Sequence, residues 1–159
     1  MFGQFGFSYV GLIYLFMLVF PNTLWSKNKP IDFNMEQENK MLVWFERIGQ
    51  VCCTFSLLFF RDFNIAPFSG WSWWLIASVF LMMLYEINWI RYFMNEHTVE
   101  NFYRSLFGIP LPGAILPVLA FLLLGIYGKV IWLIAFAILL GVGHIGIHIQ
   151  HVKEYKLKK

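Results

Sequence analysis

The sequence predicts an all-α integral membrane protein, a bundle of five transmembrane helices with the N-terminus outside and the C-terminus in the cytoplasm. Three observations carry that prediction. Hydrophobic residues make up 59% of the 159 positions and aromatic residues 20%, while only 13% are charged; an ordinary soluble domain is about half apolar and about a quarter charged. Charge is also segregated, so that residues 108–128 contain no Asp, Glu, Lys, Arg or His, the pattern of a segment that crosses hydrocarbon. Finally, the cations are lopsided: Lys27, Lys29, Lys40, Arg47, Arg91, Arg104, Lys153, Lys156, Lys158 and Lys159 fall on one side of the implied membrane, and only Arg61 and Lys129 on the other. Lys and Arg accumulate in cytoplasmic loops, which sets the orientation.

Each crossing needs about 20 residues of helix. The first is expected over 5–25, because "MFGQFGFSYVGLIYLFMLVF" lacks the basic start and the small-residue cleavage site of a signal peptide and so stays in the fold. A polar connection, "NKPIDFNMEQENK", leads to the second, 41–60. That segment carries the adjacent Cys52 and Cys53, which suit small packing residues better than a disulfide framework. The third, 71–93, opens on "WSWW". With Trp25, Trp44, Trp89 and Trp132 these indoles predict interfacial belts. The fourth, 109–128, begins "GIPLPGAILP", where Pro110 and Pro112 fit an irregular entry or first turn and Pro117 predicts a kink. Only "GIYGK" separates it from the fifth, 130–150, so these two form a tight antiparallel hairpin. Residues 1–159 then make a single transmembrane domain without internal repeat or low-complexity tract.

The net charge of +3 is spread along connections and forms no arginine-rich, aromatic-interleaved patch, so nucleic acid is not a partner. Membrane lipids are, and a homo-oligomer or a larger membrane partner is compatible with the small size. The plasma membrane is the expected location.

Chemistry is sought where ionisable residues enter the apolar spans. Counting 1.5 Å per residue from the centre of each span places Glu86 and His144 about 6 Å, and Glu46 about 7 Å, to the cytoplasmic side. His144, His148 and His151 are spaced i, i+4 and i+7, so they line one stripe of the last helix. Glu46, Gln50 and Cys53 form a stripe on the second helix, and Glu86, Ile90, Phe93 and His97 on the third. The simplest packing points the Glu46, Glu86 and His144 stripes at one another. A carboxylate in hydrocarbon is costly, so such groups face the bundle interior and find partners.

Two imidazoles at i and i+4 also present their nitrogens to one point, as in zinc motifs. His144, His148 and Glu86 are therefore the expected ligands of a divalent metal ion, zinc first. Glu46 and Glu86 are the expected acid–base residues. Because the sequence reads HxxxHxxH with no Glu after the first His, the H-E-x-x-H motif and its base are absent. Arg91, Arg104 and His151, near the cytoplasmic interface, are expected to meet a substrate or a lipid headgroup.

Three readings follow. The chain carries a cytoplasm-facing Glu/His site, metal-assisted or otherwise, acting on a lipid-like or membrane-soluble substrate; or it is a small proton- or cation-conducting transporter; or it is a non-catalytic membrane subunit whose polar cluster is packing glue.

Overall fold

Extended backbone at Ser8 lets its Oγ accept from the N–H of Gly11 at 2.9 Å, and the first helix, α1, then runs Tyr9–Lys27. This is the N-cap preference of a short hydroxyl side chain. The computed structural model in which this is seen describes residues 2–30, 33 and 38–158. Asn39 caps α2 (Lys40–Phe59) in the same way, its Oδ1 accepting from Met41 N–H at 2.9 Å. After a single 3-10 turn at Arg61–Phe63 come α3 (Ser72–Phe93), a one-turn helix α4 (Val99–Tyr103) capped by Thr98, α5 (Pro112–Gly128) and α6 (Ile131–Lys158). Among the described residues there is no strand, only isolated antiparallel bridges at Phe5 with Phe60 and Leu106 with Ile109.

Four helices, α1, α2, α3 and α6, are long and apolar enough to cross a membrane. α5 has 17 residues, about 26 Å of helix against a hydrocarbon core of about 30 Å. The expected fourth span began three residues earlier. Instead, residues 106–111 turn, with Phe107, Gly108 and Leu111 at positive φ, and Pro112 occupies the first helical turn, where its missing N–H costs nothing. Pro117 lies within the continuous helix.

The first span also starts late. Residues 4–8 run extended along the end of α2, with Gly6 N–H donating to Phe59 O, Ser8 N–H to Leu58 O and Arg61 N–H to Gln4 O, at 3.0–3.1 Å. They thereby satisfy carbonyls that a helix terminus otherwise leaves open. At the other extreme α6 continues to Lys158, eight residues beyond expectation. The connection between α1 and α2 falls largely on residues 31–37, of which only Phe33 is described, and Lys159 is also outside the described residues.

α2 packs along α6, α3 along α5, and α5 against α6 in the expected hairpin, closed by Lys129 in the left-handed conformation. Leu57, Met82, Leu116, Leu124, Leu133 and Ala137 are fully buried between them. α1 is tied on by polar side chains: Tyr14 Oη meets Ser78 Oγ at 2.9 Å, and Tyr92 Oη donates to Asn28 O at 2.8 Å. Large apolar side chains such as Phe16, Val51, Phe80 and Val142 point outward, as in a bundle solvated by lipid.

Trp89 departs from its expected place in an interfacial belt. It is 4% exposed, since it shares the inward face of α3 with Tyr85 and Tyr92 at the spacing of helical turns.

Candidate functional site

The site is built on the seam between α2 and α6. A Cβ added to Gly49 would stand 2.6 Å from Leu140 Cα, and one added to Gly143 would strike the backbone N of Glu46. The two backbones are therefore in direct contact, a packing that small residues permit between membrane helices. Glu46 and His144, one residue from that contact, are brought together by it: His144 Nδ1–H donates to Glu46 Oε1 at 2.5 Å. Both side chains are about four-fifths buried, at 23% and 21% exposed.

One turn further along α6, the His148 ring lies 4.6 Å from that of His144 between centroids, inclined at 76°. His148 has ring contacts with Phe102 and Tyr103. Next comes His151, 4% exposed. Tyr103 O–H donates to its Nδ1 at 3.1 Å, and its Nε2–H donates to Glu38 Oε1 at 3.2 Å. The three imidazoles thus run from the bundle interior to the end of the molecule that carries most of the cations. Burial pushes the Tyr103 phenol above its ordinary value, and the Glu38 carboxylate adds to the effect.

His144 and His148 border a cavity of about 110 Å³ enclosed by every long helix of the bundle. Trp89, Phe102, Phe121 and Pro117 supply apolar walls, and Asn22, Gln50 and Tyr85 supply further polar groups. Asn22 Nδ2–H donates to Tyr85 Oη at 2.8 Å, linking α1 to α3 at the cavity rim. Pro117 has no N–H to give the Gly113 carbonyl one turn before it, and both residues line the cavity.

Of the residues expected at the site, Glu46, His144 and His148 come together. Glu86 does not join them. It is absent from the cavity lining, and its buried Oε1 has no hydrogen-bond partner among the described residues. The reason is rotational: α3 packs on α5 and turns Tyr85 and Trp89 inward, while the next position along a helix points about 100° away. A zinc site takes three or four protein ligands, and among the described residues no group of three or more His, Cys, Asp and Glu side chains is placed to hold a metal ion. The expected divalent site on His144, His148 and Glu86 gains no support from the geometry.

Arg91 is committed to structure, its guanidinium donating to Ser105 O, Arg104 O and Asn88 Oδ1 at 2.7–2.8 Å. Arg104 is exposed and faces an open cleft of about 1150 Å³ together with Lys153 and Lys156. His151, expected at a headgroup, is interior and hydrogen bonded on both nitrogens.

Asn22, Tyr85 and Phe102 were not anticipated as site residues. A signal existed for Asn22, an amide next to Pro21 in an apolar helix; the aromatic residues were indistinguishable from packing. Comparison with protein-family models, curated proteins and solved structures finds no match to this chain.

Proposed function

We propose that this chain is a five-crossing membrane protein, N-terminus outside and C-terminus cytoplasmic, whose Glu46–His144 pair exchanges a proton with a small membrane-soluble molecule held in the bundle cavity. The observation that carries the reading is the 2.5 Å contact between Glu46 Oε1 and His144 Nδ1 at the cavity wall. A carboxylate on one imidazole nitrogen fixes the tautomer and leaves Nε2 as the base. When Nε2 takes a proton, Glu46 stabilises the imidazolium; when the proton returns, the pair is reset. Apolar walls keep bulk water from competing for that proton. Arg104, Lys153 and Lys156 face anionic lipid headgroups in this orientation.

Mass spectrometry of protein purified from its own membranes and then denatured tests the reading. The wild type is expected to release a small molecule that Glu46→Gln and the cavity-filling Leu140→Trp both lose. Adding that molecule back to weakly buffered nanodiscs should shift a pH dye with wild type and not with Glu46→Gln. Identical spectra for all three proteins would sink the proposal.

A second reading rests on the line of imidazoles from His144 to His151 toward Tyr103 and Glu38. Such a line suits proton conduction to the cytoplasmic face. It requires a potential-driven proton flux in liposomes that His148→Phe abolishes, whereas a local exchange site gives none.

A further inference from the structure

The cavity has an entrance as well as a chemistry. α1 and α2 are clamped near one end, where a Cβ added to Gly11 would strike Leu57 O. Further along, Leu18 and Asn22 of α1 and Gln50 of α2 line the cavity, and both amide residues are exposed although they lie on membrane-spanning helices. Exposure on such a face is exposure to lipid, so the cavity opens sideways into the bilayer.

The lining restricts what can enter. No Arg or Lys borders the cavity among the described residues, so the charge of a phosphate or carboxylate would be buried without a partner, at high cost. A lipophilic cation is poorly served as well, because no Asp or Glu borders the cavity among the described residues and Glu46, behind His144, is already bonded to it. The space admits no more than one ring: an apolar cavity of about 150 Å³ holds a benzene molecule, and this one is about 110 Å³, so the ring's substituents would lie toward the opening between α1 and α2. Its walls are flat, with Trp89, Phe102 and Phe121 among them.

The polar groups come in complementary kinds. The His148 ring borders the cavity and, in its neutral form, carries one N–H donor. His144, with its Nδ1–H on Glu46, offers Nε2 as an acceptor. A ring oxygen that accepts as a carbonyl and donates as a hydroxyl meets both.

We propose that the cavity binds the neutral, oxygen-bearing ring of a quinone- or quinol-type molecule, admitted from the bilayer between α1 and α2. This rests on the reading of the cavity as the functional site and names its substrate class; binding is claimed, not electron transfer.

The test uses the full chain in nanodiscs and three probes: duroquinone, durene (the same methylated ring without oxygens) and tetraphenylphosphonium. Saturable duroquinone binding is expected, with durene at least tenfold weaker. His148→Phe, which keeps an aromatic ring and removes both nitrogens, should weaken duroquinone at least tenfold at an unchanged melting temperature. Leu18→Trp, which narrows the entrance, should slow association severalfold.

Equal affinity for durene, no effect of His148→Phe, or tighter binding of the phosphonium cation would each overturn the assignment. So would an absence of duroquinone binding. If a natural molecule were nevertheless released by wild type and lost in Glu46→Gln, only the quinone class would fall and the proton-exchange reading would stand.

Discussion

At the scale of single residues, the pair Glu46–His144 and the triple Tyr103–His151–Glu38 make different demands. Glu46→Gln replaces a charge-assisted bond by a neutral one in a setting about four-fifths buried. Hydrogen bonds to charged groups contribute about 1.5–3 kcal/mol and neutral ones about 0.5–1.5 kcal/mol, so reversible unfolding in detergent is expected to show a loss of about 1 kcal/mol, the difference between them. Tyr103 supplies a pH signature. Its folded-state value is raised by burial, so the fold favours the neutral phenol, and the associated stability is complete below the unfolded value of about 10. It is lost as pH rises from there through the folded value. Wild type should therefore lose stability above about pH 10, and Tyr103→Phe should show a shallower alkaline decline. Equal slopes would mean that Tyr103 ionises freely in the folded protein.

Among the elements, the α2–α6 seam positions the chemistry. Gly143→Val would push side-chain atoms into the Glu46 backbone, and overpacking of this kind costs about 1–3 kcal/mol. The separation it forces would also part Glu46 from His144. Gly143→Val is thus expected to lower the melting temperature and to lose the bound small molecule together. Gly70→Ala is the control, since nothing lies within 4 Å of its added Cβ, and it should change neither. α3 illustrates the converse. Tyr85, Trp89 and Tyr92 face inward and Glu86 does not, because this helix packs on α5 rather than across the bundle on α2.

For the whole molecule, cysteine labelling tests the five-crossing orientation. Five crossings require that α5, only 17 residues long, spans with local thinning of the bilayer or help from its irregular entry. In intact cells an impermeant thiol reagent should reach a single cysteine placed at Ser69 or Lys129. It should not reach one placed at Glu100 or Lys156 until the membrane is opened. These sites should be probed in a background lacking Cys52 and Cys53. Labelling of positions 69 and 156 from the same side would remove the five-crossing topology.

The apolar spans, the α5–α6 hairpin and the common level of Glu46 and His144 were all legible in the sequence. Each follows from composition, the shortness of a connection or the 1.5 Å rise of a helix. Helix ends were less legible. The start of α1 depends on residues 4–8 lying along a distant helix terminus, and the start of α5 on a turn with three residues at positive φ. Which faces meet was legible for α2 and α6, whose Glu46 and His144 stripes mark them, and not for α3, where a helix apolar on nearly every side gives no polar face by which to read its rotation. Membership of the bilayer was thus determined by the sequence alone, through the cost of burying or exposing side chains. Close packing at Gly49 and Gly143, a property of two helices and not of either one, decided that Glu46 reaches His144 while Glu86 stays apart.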